Sequence, residues 1–426
     1  MALPVLRSEL NLFEPGVYQA SVIDSSMQEF LPLQTLTQTS PIEFFVTSSG
    51  VDYLDPSEIH LHVRLKVVKL DGTDFTADFG TAPECNLLHN LWSNIKCELN
   101  DTELSSSTFT YPYRAYLTNL LNYSKETARS GHLSGQFWHR DENAHMDDIL
   151  GAAFRARKNK VNNSKEIELY GRPLLDITEQ PLLILPGVSL KLTLTPSGDP
   201  FRLRGADAKV HLTHVSLFVR KVKVNPSIHQ AHIAQLNRSN ARYHINRKVV
   251  KVFTVTRGVH SITKDNIFLG QLPKKLTVGF VSSESYHGHF NKNPFNFKNY
   301  TLNHLALHVD GKTIPAKPLE PQFDRDIYYR SYLQTLAAQG LDATDQSIDL
   351  SYEDFKAGFC LFVFDLTPDQ EAACNDHAQQ MQFGTLRLEA RFDTALTETV
   401  NLIILGEFHN LIEITARRHV LCDFGA

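Results

Sequence analysis

The sequence predicts an all-β chain in which one jelly-roll β-sandwich is written twice, a double jelly roll with short helical excursions. Three observations carry this expectation. Runs rich in Val, Ile, Thr and Phe recur along the whole chain, bounded by Gly, Pro, Asp and Asn, as strands are. Helical patterns are few. Blocks from the first half return in the same order in the second, as in a tandem duplication.

The elements follow in chain order. PIEFFVTSS (Pro41 to Ser49) and EIHLHVRLKVVKL (Glu58 to Leu70) read as strands, and Asp71-Gly72 as a hairpin turn. CNLLHNLWS (Cys85 to Ser93) reads as a short helix. In IKCELNDTEL, Ile95, Cys97 and Leu99 alternate with polar residues, so one face of a strand is buried. Asn100-Asp101 then turns the chain. Its counterpart is LALHVDGKTI, with Leu305, Leu307 and Val309 in phase and Asp310-Gly311 as the turn.

Each hairpin is followed by a helix, YRAYLTNLL (Tyr113 to Leu121) in one half and YRSYLQTLA (Tyr329 to Ala337) in the other. Tyr113, Tyr116, Leu117, Leu120 and Leu121 share one helical face. GRPLLDIT (Gly171 to Thr178) is answered by GFCLFVFDLT (Gly358 to Thr367), and GVSLKLTL (Gly187 to Leu194) by GTLRLEA (Gly384 to Ala390). KVHLTHVSLFVRKVKV, KVVKVFTVT, KLTVGFVSS and LIEITARRHV supply further strands. SIHQAHIAQLN, after Asn225-Pro226, reads as a connecting helix. The expected organisation is an N-terminal arm and first jelly roll over 1–224, a helical linker over 225–244 and a second jelly roll over 245–426.

The bulk properties agree. A length of 426 residues suits two domains of about 200 residues each. Hydrophobic content of 42% and charged content of 21% are those of a globular protein. A net charge of −5 and a pI near 6.4 argue against a chain whose task is to coat DNA or an anionic membrane. The N-terminus, MALPVLRSELNLF, lacks the pattern of a secretory signal, and FCLFVFDL and VNLIILGEF are too short to span a bilayer as helices. Cys85, Cys97, Cys360, Cys374 and Cys422 show no CxxC spacing and read as reduced thiols of an intracellular protein.

Catalytic and ligand-binding motifs fail one by one. Asp310-Gly311-Lys312-Thr313 resembles the end of a phosphate loop, but the earlier Gly that loop needs is Ala306, so the hairpin turn is the better reading. The pairs His60/His62 and His287/His289 could place two imidazoles on one strand face, yet no carboxylate follows either, and they read as ordinary strand histidines. His211/His214 and His229/His232 lack the Glu of a metalloprotease, and GHLSG places its Ser one position late for a nucleophile elbow. FWHRDENAHMDD (Phe137 to Asp148) reads as a solvated excursion and RARKNKVNNSK (Arg155 to Lys165) as an exposed basic loop. The basic stretch from Arg238 to Lys251 could face an acidic partner. No enzyme class, cofactor or metal emerges.

With these motifs in place, the chain resembles the double jelly-roll major capsid proteins, or hexons, of adintoviruses and Polinton/Maverick elements. More distantly it is similar to those of virophages, large algal DNA viruses and tailless phages. LPLQTLTQTSPIEFFV, LWSNIKCELND, YPYRAYLTNLLNYS, FLGQLPKKLTVGFV, NPFNF, LALHVDGKTIP, YYRSYLQTL and LIEITARRHV carry the likeness across the chain.

The resemblance implies a homotrimer with a pseudo-hexagonal outline that tiles an icosahedral shell beside neighbouring capsomers, penton and minor capsid proteins. It implies no sequence-specific nucleic-acid binding and leaves membrane contact open. Chains would be made in the host cytoplasm, assembled in the nucleus and located in the virion capsid. Tyr113, Tyr116 and Leu117, like Tyr329, Tyr332 and Leu333, would pack each helix on its own barrel or on a neighbour. Arg114 and Arg330 would bond a carboxylate or a loop carbonyl. A tandem jelly-roll glycan-binding protein and a bicupin-like metal-dependent protein are the competing readings.

Overall fold

The structure, a computed structural model, describes residues 19–76, 79–105, 108–374 and 379–422. The segment MALPVLRSELNLF lies outside the described residues. The first half contains β1 (Val22–Phe30), β2 (Ile42–Val46), β3 (Tyr53–Val68), β4 (Ala82–Pro83), β5 (Trp92–Leu99), β6 (Thr102–Glu103), β7 (Ile167–Gly171), β8 (Leu190–Pro196), β9 (Leu203–Arg204) and β10 (Lys209–Val224). The second contains β11 (Ala241–Val255), β12 (Ser261–Lys264), β13 (Lys275–Ser282), β14 (Leu302–Val309), β15 (Lys312–Leu319), β16 (Leu361–Asp365), β17 (Leu386–Phe392), β18 (Val400–Ile414) and β19 (Val420–Cys422).

The sheets pair as β1-β10-β3-β7 and β2-β8-β5-β6 in the first half, and as β11-β18-β13-β16 and β12-β17-β14-β15 in the second. Setting aside the short β4–β9 pair and β19, each half has, among the described residues, eight strands in one order. The first, eighth, third and sixth form one sheet; the second, seventh, fourth and fifth form the other. That is the jelly roll, present twice.

Period-two patterning builds both cores. Ile42, Phe44 and Val46 of β2 meet Leu190, Leu192 and Leu194 of β8 inside the first barrel. Leu305 and Leu307 of β14 meet Leu386, Leu388 and Ala390 of β17 inside the second. The two expected hairpins turn where positive φ is tolerated, at Asn100 (φ 43°) and Asp101 (φ 64°), and at Asp310 (φ 48°) and Gly311 (φ 81°).

The halves interlock. Tyr243, Ile245, Ile412, Ile414 and Val420, from β11, β18 and β19, are buried in the first core. The Tyr243 hydroxyl donates to the Leu183 carbonyl at 3.1 Å and accepts from the Leu185 N–H at 3.3 Å. The connecting helix is Pro226–Leu236, and β11 starts at Ala241, so the residues to His244 that were expected in the linker are strand.

Several local expectations are corrected. RARKNKVNNSK is not an exposed loop: it lies largely on a helix, Ala152–Val161, and Arg157 is fully buried. FWHRDENAHMDD is not a solvated excursion, because Trp138 and Asp141 are both buried. The reason is mutual. Asp141 accepts from Arg157 Nη2 at 2.8 Å and Arg204 Nη2 at 2.7 Å, and Glu84 stands 3.4–3.6 Å from the same guanidinium groups. The Asp141 carboxylate and the Glu84 carboxyl face two cations out of water, and each charge would be costly alone.

The GRPLLDIT block is also out of register with its partner. β7 ends at Gly171 and Asp176 opens a 3-10 turn, whereas Asp365 closes β16 itself. Strand β1 had no expectation because its side chains are exposed at nearly every position, leaving no alternation to read. Cys85, Cys97 and Cys360 are buried free thiols, and burial pushes their pKa values upward. Among the described residues no helix is long and apolar enough to cross a membrane.

Burial raises the Glu84 carboxyl to about 7 against the pull of Arg204 and Arg157, with Asp141 adding to the rise. Neither of its oxygens makes a hydrogen bond. The folded chain therefore holds this proton more tightly than the unfolded chain, whose carboxyl titrates near 4.5. The contribution is complete below that value and is lost as pH rises through about 7. Urea denaturation across this window should show Glu84→Gln with a flatter pH dependence than the wild-type chain. Equal slopes would remove Glu84 as the titrating group.

Candidate functional site

The two repeated helices occupy the same place in their barrels. Tyr111–Asn122 lies between β6 and β7, and Tyr329–Ala337 between β15 and β16. Their surroundings differ.

The first helix is buried on nearly every side, with Tyr113, Tyr116 and Leu117 at 2%, 1% and 1% exposure. It fills the seam between the barrels, in an apolar cluster that includes Trp138 and Met146 from its own half and Phe295, Phe297, Phe359 and Leu405 from the other. Tyr116 stacks on Phe295 with ring centroids 4.1 Å apart and planes 7° from parallel. The Tyr113 hydroxyl donates to the Pro294 carbonyl at 2.9 Å, and its ring stacks on Tyr286 at 5.5 Å. NPFNF, Asn293 to Phe297, is thus the segment of the second half that receives the helix. Gly279 on β13 makes room for it, since a Cβ there would sit 2.6 Å from the Phe297 ring.

A polar set borders the seam. Arg114 Nη2 lies 2.7 Å from Asp176 Oδ1, which also accepts from the Lys248 N–H at 3.0 Å. Lys248 Nζ pairs with Glu179 at 2.7 Å. Burial raises the Asp176 carboxyl, with the Arg114 charge opposing. The first helix, the turn after β7 and strand β11 are tied together by these groups.

The second helix presents the equivalent positions to solvent. Tyr329, the counterpart of Tyr113, is 57% exposed, and Leu333, the counterpart of Leu117, is 38% exposed. Ile327 beside them is 59% exposed. Arg330 donates to the Pro318 and Lys317 carbonyls at 2.8 and 2.6 Å. Tyr332 is half-buried and donates to the Leu350 carbonyl at 3.1 Å. The helix docks through the opposite face, where Thr335 Oγ1 donates to the Leu361 carbonyl at 2.9 Å.

The other sequence candidates disperse. His287 ends a short helix, so His287/His289 is not a strand pair. His229 and His232 both reach the Tyr53 hydroxyl, at 3.4 and 2.8 Å. In the basic stretch from Arg238, Arg242 pairs with Glu413 at 3.0 Å and Lys251 lies over the Phe268 ring at 5.1 Å. His60 and His62 point outward from β3, away from the apolar interior, and His62 Nε2 is 2.7 Å from Glu168 Oε1. The carboxylate missing after the pair in sequence thus stands beside it in space, on β7.

Comparison with known proteins places this geometry. No protein-family model matches the chain. A protein of Caenorhabditis elegans, uncharacterized protein F54H12.2, is 25% identical over 344 residues, or 77% of this chain and 80% of the relative. Among solved structures, a chain of the Sputnik virophage superposes with a TM-score of 0.67 at 11% identity, over 100% of this chain and 93% of that one. The mavirus major capsid protein gives 0.57 at 12% identity, over 99% and 96%. The Faustovirus major capsid protein gives 0.60 at 10% identity, over 96% and 94%. The fold is the double jelly roll of these capsid proteins, with both barrels covered.

Equivalent tyrosines should respond unequally to truncation. Tyr113→Ala removes a ring from the filled seam and should cost about 3–5 kcal/mol in denaturant unfolding. Tyr329→Ala, measured on the single chain, should stay within about 0.5 kcal/mol. Similar losses at both sites would show that burial does not separate the two helices.

Proposed function

We propose that this chain is a structural major capsid protein of the adintovirus or Polinton/Maverick type. Three copies close into a pseudo-hexagonal capsomer, and capsomers tile an icosahedral shell. The observation that carries this reading is the unequal burial of the repeated helices.

Six similar barrels drawn from three chains meet at two kinds of seam, one inside each chain and one between chains. Tyr113 and Leu117 fill the inner seam. The same positions of the second copy, Tyr329 and Leu333, form an uncovered apolar face together with Ile327. A following chain that docks its first barrel there repeats the inner contact, and the repetition closes at three chains. Such an interface buries more than about 2,000 Å² and is obligate. Arg330, held against the Lys317 and Pro318 carbonyls, sets the pose of this face.

The capsid role is supported by the fold shared with the virophage and Faustovirus chains over nearly their whole length. The adintovirus or Polinton assignment is supported by the motifs from LPLQTLTQTSPIEFFV to LIEITARRHV and by a relative in an animal. Partners are further capsomers, penton and minor capsid proteins, and the place of action is the virion shell.

Light scattering on the purified chain should give three times its 48.2 kDa mass, with hexagonal outlines in negative stain. Tyr329→Ser combined with Leu333→Asp should leave a folded monomer. A wild-type monomer at assembly concentrations would sink the capsomer reading, and intact trimers in the double variant would sink the seam assignment.

A further inference from the structure

We infer that the outward face of the sheet β1-β10-β3-β7 carries a site for a zinc-class divalent cation, built from His62, His214 and Glu29 with Glu168 beside them. One ligand-bearing residue comes from each of the four strands: Glu29 from β1, His214 from β10, His62 from β3 and Glu168 from β7. The ligand atoms of Glu29, His62 and His214 all lie within 4.8 Å of one another. His214 Nε2 is 3.6 Å from Glu29 Oε1, and His62 Nε2 is 2.7 Å from Glu168 Oε1.

The fold assembles this set through a bulge. On β10 the even-numbered Val210 and Leu212 point into the barrel; a register shift between Leu212 and His214 then inverts the alternation. From His214 to Phe218 the even positions face outward, until a second shift between Val219 and Arg220 restores the first phase, so the bulge aims the imidazole at the outer surface. Ser216, directly across from His62, is small enough to serve as a floor, and its hydroxyl lies 3.1 Å from His214 Nε2. The rings converge above it with centroids 5.2 Å apart.

The donor set suits the ion. Two imidazole nitrogens and a carboxylate oxygen are a zinc combination, and ligand bonds of about 2.0–2.2 Å need only small side-chain rotations from this arrangement. The carboxylate of Glu168, on the His62 ring, orients that ligand. Two neutral histidines and two carboxylates balance a doubly charged cation. The imidazole side chains are 17% and 25% exposed, so the ion has partial shelter and an open approach.

Bound there, the ion fastens β1 to the sheet. That strand is an edge whose own side chains bury almost nothing, so main-chain pairing with β10 is its principal hold. The untagged full chain, titrated with zinc chloride by calorimetry, should take up one ion. Hydrogen exchange at the β1 amides should slow when zinc is added. The double variant His62→Ala/His214→Ala should lose both effects while keeping its far-ultraviolet circular dichroism. Glu168→Gln should weaken uptake about tenfold or more. No uptake by the wild-type chain, or equal uptake and equal β1 protection in the double variant, overturns the site.

Discussion

One constraint governs the molecule: two apolar barrels are held in a fixed relation by a helix wedged between them. Tyr116 stacked on Phe295, Tyr113 hydrogen-bonded to Pro294, and the surrounding Trp138, Phe297 and Leu405 make the seam as buried as either barrel interior. Apolar burial of that kind is non-directional, and the aromatic geometry adds the direction. The Arg114–Asp176–Lys248–Glu179 set then fixes the wedge at its border through charge pairs that tolerate little displacement. Change the seam and the relation between barrels changes with it.

Duplication gives this constraint its reach. A contact used inside the chain is available a second time, on a copy whose Tyr329 and Leu333 are left exposed. The copies have therefore diverged in side-chain surroundings while keeping their backbone role. Tyr113 and Tyr329 share a phrase and a position, and one is sealed while the other meets solvent. In the proposed capsomer, closed symmetry follows from a repeated, self-consistent contact and requires no additional recognition element.

The fold was legible in the sequence wherever alternation is local. KVHLTHVSLFVRKVKV coincides with β10, and the turns at Asn100-Asp101 and Asp310-Gly311 fall between paired strands. Legibility failed where burial depends on a partner far along the chain. Arg157 lies in what looks like a basic loop, yet Glu84 and Asp141 neutralise it in the interior, and no periodicity announces that pairing. The repeated helix was visible as a motif, but which copy is covered is decided by NPFNF, distant in sequence from the first helix. The His62 cluster shows the same limit: its carboxylates stand on β1 and β7, and a bulge that no composition signals turns His214 toward them.

The interlocking of the halves bears on how the chain is made. Ile412, Ile414 and Val420 complete the core of the first barrel, although they are among the last described residues to be synthesised. On the ribosome that barrel waits, with part of its interior unfilled, until the C-terminal strands emerge. Domain-by-domain folding during translation, the usual protection of long β-rich chains from aggregation, is thus closed to its first half.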